Sequence, residues 1–310
     1  MSYIFGPVRS RRFGLSLGID LSPSGKQCNF DCLYCELKPK RAEPKMTQIA
    51  EVGAILSELE EAIPRFCGLD AITITANGEP TLYPHLHALI TGIKQLKGSQ
   101  NLETLILSNG SRFGEKDVQE ALCEFDMVKF SLDAVSPKVF KRIDRACSAF
   151  SSITTIIEGI KDFAARYKGE LIAEVLFVAG VNDGMDEACA IAKVLREIAP
   201  VRVDLSTIDR PSAYPVHAIS PEKLEELAGC FEGLCCFIAK RQNGASTGIA
   251  PQKYSKEELL NTLAKRPWSE DDVRTLLDGE SQANFWELLE CGEIERKMAG
   301  KLLFFGCKNP

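Results

Sequence analysis

Residues 28–35, CNFDCLYC, place three cysteines in one short loop with the spacing C-x3-C-x2-C. Cys28, Cys32 and Cys35 can therefore direct three thiolates at one inorganic centre. Ligation by thiolates alone favours zinc or an iron–sulfur cluster. A structural zinc site needs four protein ligands, and the next cysteine, Cys67, lies beyond a predicted helix. The loop thus fits either a four-iron cluster with one open iron or a zinc knuckle that borrows a distant Cys or His.

The bulk composition is that of a soluble globular protein. The chain has 310 residues, 45% hydrophobic and 26% charged, enough for one large domain with a small appendage. Arg9, Arg11 and Arg12 interrupt any apolar run of a secretion signal, and no stretch approaches the roughly 18 apolar residues of a membrane span. Twelve cysteines without such a signal predict a reducing, cytoplasmic compartment, where most thiols outside the loop pack in the core.

Charge is distributed unevenly along the chain. The formal net charge of −6 argues against a surface that is a nucleic-acid platform throughout. Residues 1–45, however, hold eight Lys or Arg against four acids, a net charge of +4. We expect this basic rim around the cysteine loop to attract a phosphate-bearing substrate or an acidic electron donor, and a solvated loop without a role is the alternative.

Apolar periodicity predicts strands and helices in strict alternation. The predicted strands cover 15–21, 71–75, 103–107, 127–132, 171–178 and 201–205. The predicted helices cover about 47–62, 84–97, 115–124, 151–168, 184–198 and 221–229, with Thr47 as the first N-cap. Alternation of this kind predicts a parallel sheet with right-handed crossovers, either a barrel or a doubly wound sheet. In both, function belongs at the carboxyl ends of the strands.

The C-terminal part has a different pattern. Residues 231–252 are rich in turn formers and predict a connector between a first domain at 1–230 and a second at 253–310. In the second domain, Ser255 can cap one helix, and Ser269 with Asp272 forms a capping box for the next. A third helix carries Phe285 and Trp286, and a hairpin follows. Three helices and a hairpin predict a winged-helix-like domain.

Polar residues follow several predicted strands and are candidates for the site. Asn77, Gly78 and Glu79 follow the second strand, and the glycine permits close approach of a ligand to the backbone. Other polar residues at strand ends are Ser131, Asp133, Asn182, Asn109 and residues 209–211, with Arg142 and Arg145 nearby. Turns, helix caps and satisfied surface groups are the alternatives for each of them.

The cysteine spacing, with Tyr34 just before the last cysteine, resembles the radical S-adenosylmethionine (SAM) superfamily. That resemblance implies a partial (β/α)6 barrel and a [4Fe–4S] cluster held by Cys28, Cys32 and Cys35, whose open iron chelates SAM. It also implies that a reduced cluster cleaves SAM to methionine and a 5′-deoxyadenosyl radical. The implied SAM contacts are Asn77, Gly78 and Glu79 to the ammonium group, Ser131 and Asp133 to the ribose, and Asn182 and Tyr34 near the adenine.

The N-terminal run at 6–23 and the loop that follows it are similar to a bacterial branch related to wyosine-type tRNA-modifying enzymes. The resemblance implies a tRNA base or a modified nucleoside as substrate, and a flavodoxin- or ferredoxin-like electron donor. This chain departs from the wyosine synthases because no cysteine precedes Cys28. A second cluster built from upstream cysteines is therefore not expected.

Two other functions stay open at this stage. One is a radical SAM enzyme that matures a peptide or protein, with the C-terminal domain as the docking unit. The other is a zinc-stabilised regulator that binds nucleic acid. Residues 253–310 hold nine Lys or Arg against eleven acids, and the third helix carries Glu287 and Glu290 but no Lys or Arg. This charge pattern argues against a helix that reads DNA.

Overall fold

The computed structural model describes residues 2–10, 12–98, 100–238, 250–299 and 302–308. Its main sheet contains eight strands whose order in space follows their order along the chain. The first two pair antiparallel, and every later neighbour pairs parallel. The strands are β1 (Ile4–Ser10), β2 (Gly14–Asp20), β3 (Ala71–Thr75), β4 (Glu103–Ser108), β5 (Met127–Ser131), β6 (Glu170–Phe177), β7 (Arg202–Thr207) and β8 (Cys236–Ile238).

Helices connect the parallel strands. They are α1 (Val52–Ala62), α2 (Leu86–Lys97), α3 (Lys116–Leu122), α4 (Pro137–Ile143), α5 (Ile153–Ala164), α6 (Met185–Ile198) and α7 (Pro221–Ala228). A doubly wound sheet would reverse its strand order at a switch point, whereas this order runs in one direction from β1 to β8. The six units that begin with β2 to β7 therefore have the order of the predicted partial (β/α)6 barrel.

The C-terminal part has the predicted three helices and hairpin. Its elements are α8 (Lys256–Lys265), β9 (Trp268–Ser269), α9 (Glu270–Leu276), α10 (Gly279–Glu290), β10 (Ile294–Ala299) and β11 (Leu302–Cys307). The three strands form a small sheet in the order β10-β11-β9. The predicted capping box of Ser269 with Asp272 is present, and Ser255, predicted as a cap, forms a capping box with Glu258. Trp268, Phe285 and Phe305 are buried in a second hydrophobic core, which also includes Leu15 of β2.

This domain packs on β1. The backbone N of Gly6 donates to Thr262 Oγ1 at 3.0 Å, and Asn261 Nδ2 donates to the carbonyl oxygen of Ile4 at 2.7 Å. The hydroxyl of Tyr254 donates to the carbonyl oxygen of Pro7. Helix α8 thus covers an edge strand that would otherwise expose unpaired backbone groups.

A buried group of charges lies inside the sheet. Arg12, in the turn between β1 and β2, places Nη1 2.7 Å from Glu174 Oε1 and 3.2 Å from Asp204 Oδ2. Lys129 of β5 contacts the same Glu174 oxygen at 2.9 Å. The Arg12 guanidinium also lies 5.9 Å from the ring centre of Phe237 in β8. These contacts join the turn at one edge of the sheet to the strands at its other edge.

The structure confirms the six predicted strands and corrects several other predictions. Strand β1 and helix α4 were not predicted, and β8 lies inside the predicted connector, of which 239–249 fall outside the described residues. The first helix begins at Val52 with Glu51 as its N-cap, so the assignment of Thr47 was wrong. The Thr47 N–H donates instead to Gln27 Oε1 at 2.8 Å. Across the described ranges, no helix is long and apolar enough to cross a bilayer.

Candidate functional site

The cysteine loop begins at the carboxyl end of β2 and is joined at once to the turn after β3. Gln27 N donates to Asn77 O at 2.7 Å, and Glu79 N donates to Gln27 O at 3.0 Å. Gly78 lies between these bonds with φ +147°, and a Cβ there would lie 1.8 Å from Gln27 O. Only glycine fits this close approach of two backbones. The structure therefore brings the predicted Asn77-Gly78 turn against the start of the cysteine loop.

Backbone hydrogen bonds also fix the middle and the end of the loop. Asp31 N donates to Asp144 O at 3.1 Å, and Leu33 N donates to Ile143 O at 2.8 Å. At the end of the loop, Cys35 O accepts from Ala213 N at 2.8 Å. Cys28, Cys32 and Cys35 are all free thiols and partly exposed. These hydrogen bonds tie the loop to the end of α4 and to the segment that follows β7.

Burial and nearby carboxylates disfavour the thiolate form of Cys28 and Cys32. Burial, followed by the charge of Glu79, raises the pKa of Cys28 to about 12. Burial and the charge of Asp144 raise the pKa of Cys32 well above its usual range. Without a bound cation these thiols stay protonated, whereas metal coordination deprotonates them. The donor set of three thiols fits an iron–sulfur cluster with one iron left open.

The described residues contain no three Cys, His, Asp or Glu side chains that could together hold one metal ion. In a four-iron cluster each cysteine binds a different iron atom, so the three thiols need not converge on one point. Their assignment as cluster ligands stays a prediction.

Glu79 has an internal role in this structure. Its carboxylate is 1% exposed, and Oε1 accepts from Thr81 N at 3.0 Å and from Ser108 Oγ at 2.7 Å. Oε2 accepts from Asn109 N at 2.7 Å. Burial raises the pKa of Glu79, and these hydrogen bonds oppose that effect. Glu79 therefore ties the end of β3 to the end of β4, and its contact with the SAM ammonium group stays a prediction.

Four of the predicted residues, Asn109 among them, meet at one small cavity. Tyr34, Ser131 and Asp133 line it, and its volume is about 10 Å³, the space of roughly one water molecule. The Tyr34 hydroxyl donates to Asp133 Oδ2 at 2.5 Å, and Leu176 N donates to Asp133 Oδ1 at 2.7 Å. Burial raises the pKa of Asp133 to about 7.

Asn182 contacts Asp133, one of the residues that line this cavity, and is 1% exposed. Its side-chain amide donates to Asp133 O at 2.9 Å and to Leu176 O at 2.8 Å. Its Oδ1 accepts from Val178 N at 2.7 Å. Gly184, not Asn182, is the N-cap of α6. Asn182 therefore supports the ends of β5 and β6, and a contact with adenine stays a prediction.

The contacts made by Asp31 in the site were not predicted, although Arg145 was named as a candidate. Asp31 accepts from Lys26 Nζ at 2.8 Å and from the Tyr214 hydroxyl at 2.6 Å, and it pairs with Arg145. The Arg145 guanidinium lies 4.0 Å from the ring centre of Tyr214, and its backbone has φ +47°, which is rare for a residue with a side chain. Arg142 is exposed and does not join this group. Sequence gave no local indication of a contact between Asp31 and Tyr214, which lie 183 residues apart.

Two buried aspartates complete the surroundings of the loop. Asp144 Oδ1 lies 3.5 Å from the Cys32 thiol, and Asp20 Oδ1 accepts from Asn77 N at 2.8 Å. Asp20 is the last residue of β2, and polar residues at strand ends were the pattern that identified the other candidates. The same pattern could have identified Asp20. Asp144 follows a helix that was not predicted, so no pattern marked it.

The other cysteines correct the expectation of core packing. Cys67, Cys123, Cys235, Cys236 and Cys291 are exposed, and Cys307 is buried. Cys189 in α6 and Cys230 after α7 form a disulfide. These positions lie outside the loop that carries the three candidate ligands.

The fold is of the α/β class, with a mostly parallel eight-stranded sheet and a cysteine loop that follows the carboxyl end of β2. The chain belongs to the radical SAM superfamily, whose family profile matches residues 22–192. It is 45% identical to a UPF0026 protein of Helicobacter pylori strain J99, over 97% of this chain and 96% of that protein. Membership implies the two predicted cofactors, SAM and a [4Fe–4S] cluster.

More distant relatives have names that state an activity. A Thermococcus kodakarensis protein named "Probable GTP 3′,8-cyclase" is 26% identical over 66% of this chain and 64% of that protein. The solved structure of TYW1 with a lysine–pyruvate adduct bound superposes with a TM-score of 0.51. It is 16% identical and covers 70% of this chain and 72% of that chain, which is a likeness of fold alone.

Proposed function

We propose that this enzyme binds one [4Fe–4S] cluster through Cys28, Cys32 and Cys35, cleaves SAM reductively, and acts on the base of a nucleotide. The substrate class includes a tRNA base or a modified nucleoside. The observation that carries this proposal is the attachment of the free-thiol loop to the Gly78 turn by two backbone hydrogen bonds of 2.7 and 3.0 Å. The two segments predicted to bind the cluster and SAM are thereby one unit.

When bound, the reduced cluster and SAM supply a 5′-deoxyadenosyl radical that abstracts a hydrogen atom from the substrate. The chain's own residues bind, orient and exclude water. Asn77 and Gly78 are the proposed backbone platform for the SAM ammonium group. Ser131 and Asp133 are the proposed partners of the ribose, with Tyr34 above them.

An acidic flavodoxin- or ferredoxin-like protein is the proposed electron donor. Lys38, Lys40, Arg41 and Lys45 are exposed in the segment that follows Cys35. A basic surface beside the loop favours association with an acidic protein and would make the rate fall with ionic strength.

The nucleotide class is supported by the GTP cyclase name of a relative and by the net charge of +4 over residues 1–45. A second candidate is maturation of a peptide. It is favoured by one observation, the placement of the winged-helix-like domain on β1 through Thr262, Asn261 and Tyr254. The third alternative, a zinc-stabilised regulator that binds nucleic acid, is no longer supported, because the chain belongs to a family of enzymes.

Anaerobic purification tests the cofactor part of the proposal. We expect a brown protein with broad absorption at about 400 nm and about four iron atoms per chain. With a chemical reductant and SAM, it should release 5′-deoxyadenosine and methionine. A colourless protein that contains zinc and leaves SAM intact would contradict the proposal.

The substrate part needs a separate measurement. Modified nucleosides from tRNA and from the soluble nucleotide pool should be compared in cells with and without this protein. A nucleoside that changes between the two supports the base as the target. Unchanged nucleoside profiles together with a modified peptide would instead favour the second candidate, maturation of a peptide.

A further inference from the structure

Asp31 lies directly before Cys32, and its carboxylate joins three parts of the chain at the cysteine loop. It accepts from Lys26 Nζ at 2.8 Å and from the Tyr214 hydroxyl at 2.6 Å, and it pairs with Arg145. Lys26 precedes the loop, Arg145 follows α4, and Tyr214 follows β7. The Asp31 side chain is 15% exposed, so these contacts are largely shielded from water. One side chain of the loop is therefore held by donors from three segments.

Arg145 and Tyr214 also hold each other. The Arg145 guanidinium lies 4.0 Å from the ring centre of Tyr214, within the range of a cation–π contact. Arg145 Nε donates to Asp31 O at 2.6 Å, so Arg145 contacts both the backbone and the carboxylate of Asp31. Its backbone has φ +47°, a conformation that side chains disfavour and that persists where the surrounding contacts impose it. The three side chains thus form a closed set in which each contacts the other two.

Tyr214 belongs to residues 209–216, a segment that follows β7 and that we call the closing segment. Its backbone also contacts the loop, since Ala213 N donates to Cys35 O at 2.8 Å. Tyr214 and Ala213 are neighbours, so two adjacent residues of the closing segment contact the loop on either side of Cys32. The closing segment thus contacts the half of the loop that carries two of the three candidate ligands.

These contacts connect the first and the last of the six barrel units. The cysteine loop follows β2, the strand of the first unit, and the closing segment follows β7, the strand of the last. Of the strands that the structure describes, β1 and β8 lie at the edges of the sheet and do not pair with each other. Arg210 Nη1 of the closing segment also donates to Glu36 Oε1, directly after the loop, at 3.0 Å. The closing segment therefore bridges the open side of the sheet at the carboxyl ends of its strands.

The base of the closing segment is fixed on the sheet. Ile219 N donates to Thr207 Oγ1 at 3.0 Å, and this hydroxyl donates in turn to Phe177 O at 2.8 Å. Thr207 is the last residue of β7 and Phe177 is the last residue of β6. A segment that is held at its base keeps the Tyr214 hydroxyl in place, so Tyr214 can order the loop that it contacts.

We propose that Tyr214 and Arg145 are positioning residues for the cluster ligands: they hold Asp31 and thereby order the cysteine loop before the cluster binds. This inference rests on the cluster of the proposed function. A loop that is already ordered loses less conformational freedom on binding, so its three thiols hold a cluster more tightly. Tyr214 lies beyond residues 22–192, which match the family profile, so family membership does not supply this contact.

Hydrogen–deuterium exchange on the full-length protein without its cluster tests the inference directly. Asp31 N and Leu33 N donate to backbone carbonyl oxygens at the end of α4, so their exchange reports opening of the loop. Tyr214→Phe removes only the hydroxyl. We expect exchange in a peptide that spans residues 29–36 to become roughly 10-fold faster, because a charge-assisted hydrogen bond is lost. Arg145→Lys keeps the charge but loses the planar fork, and it should speed the same exchange by at least about 3-fold.

Tyr167→Phe is the matched control. The Tyr167 hydroxyl also donates one hydrogen bond, to Phe125 O at 2.9 Å, and Tyr167 is 8% exposed. Tyr167 precedes β6 and Phe125 precedes β5, so this bond lies at the amino ends of the strands, away from the loop. Its loss should leave the exchange of the loop within about 2-fold of wild type.

A second measurement uses the protein after the cluster has been reconstituted. A chelator of ferrous iron should remove iron from Tyr214→Phe several-fold faster than from wild type and from Tyr167→Phe. Three results would overturn the inference: loop exchange at the wild-type rate in Tyr214→Phe, an equal increase in every peptide of that variant, and equal rates of iron loss from the three proteins. A wild type that binds no iron would instead refute the proposed function, and the exchange without the cluster would still show whether Tyr214 orders the loop.

Discussion

Lys265 of α8 forms an ion pair with Asp20 at the end of β2, and the two side chains are only 8% and 1% exposed. Asp20 Oδ1 accepts from the backbone N of Ser22 at 2.9 Å and of Asn77 at 2.8 Å. One buried carboxylate therefore joins the winged-helix-like domain, the entry to the cysteine loop and the turn after β3.

Replacement of Lys265 by Met should destabilise the protein by about 3–5 kcal/mol, because it leaves the Asp20 charge buried without its partner. SAM binding should weaken as well, since Asp20 holds Asn77. The free energy of unfolding in urea and the SAM dissociation constant measure the two effects. Lys253→Met is the control, because its pair with Glu280 is 68% and 64% exposed and should contribute at most about 1 kcal/mol. Similar losses in both variants would contradict a special role of the buried pair.

Replacement of Gly78 by Ala should separate the turn from the loop. A Cβ would lie 1.8 Å from Gln27 O, so one of the two backbones must move. Gly25→Ala is a close control, because Gly25 has φ +152° and nothing within 4 Å of its Cβ position. Both variants carry similar backbone strain of about 1–3 kcal/mol, and only Gly78→Ala should also reduce the iron content after reconstitution. Full iron content in both would show that the turn does not support the loop.

Replacement of Glu79 by Gln should lower stability by roughly 1–3 kcal/mol, because an amide N–H₂ would then face a backbone or hydroxyl donor in a buried site. The urea midpoint measures this loss. SAM binding should fall through displacement of the turn, so a variant at Ser108 that removes one of the same hydrogen bonds should reduce both quantities together. A loss of SAM binding at full stability would instead indicate direct contact with the ammonium group.

The ion pairs of Glu174 with Arg12 and Lys129 should make part of the free energy of unfolding depend on pH. Burial alone would raise the pKa of Glu174, but the charges of Lys129 and Arg12 lower it to about 2. A lowered pKa means that this contribution, roughly 3 kcal/mol, is complete above about pH 4.5 and is lost as the pH falls towards about 2.

Urea unfolding between about pH 6 and pH 3 measures this component. The Glu174→Gln variant should be less stable at neutral pH and should lose less further stability on acidification. Glu197→Gln removes an exposed carboxylate that pairs with Lys161 and should keep the wild-type acid dependence. Parallel pH profiles for wild type and Glu174→Gln would contradict the assignment.

Replacement of Cys28, Cys32 or Cys35 by Ala should abolish cluster assembly, with iron falling from about four atoms per chain to near zero. Cys123→Ala is the control, because Cys123 is an exposed free thiol outside the loop. Iron content, absorption spectra and SAM cleavage measure the outcome. A complete cluster in Cys32→Ala would remove Cys32 from the ligand set.

Sequence patterns were sufficient for the strands that form the barrel. Ala71–Thr75 and Met127–Ser131 are short apolar runs typical of strands buried on both faces. Strand β8 was missed because Cys236–Ile238 has only three residues and is largely exposed. Strand β1 was missed because Gly6 and Pro7 interrupt its pattern. Helix α4 has seven residues, too few for a clear period.

The parts of the site that depend on residues close together in the sequence were predicted. The cysteine spacing and the position of Gly78 after a strand are local features. The pair of Asp20 with Lys265 spans 245 residues, and no pattern along the sequence marks it. The internal role of Glu79 depends on donors from Ser108 and Asn109, about 30 residues later. Contacts of this kind follow from the assembled fold alone.

The cover that α8 provides to β1 also bears on how the chain folds during synthesis. Strand β1 leaves the ribosome before α8, and Thr262 and Asn261 follow about 256 residues behind it. At the usual 5–20 residues per second, that strand waits roughly 13–50 seconds before its final partner exists. During that interval its edge can pair with other chains, and a factor that binds nascent strands would protect it. On a ribosome stalled before residue 256, β1 should therefore be sensitive to protease, and it should become resistant once α8 has emerged.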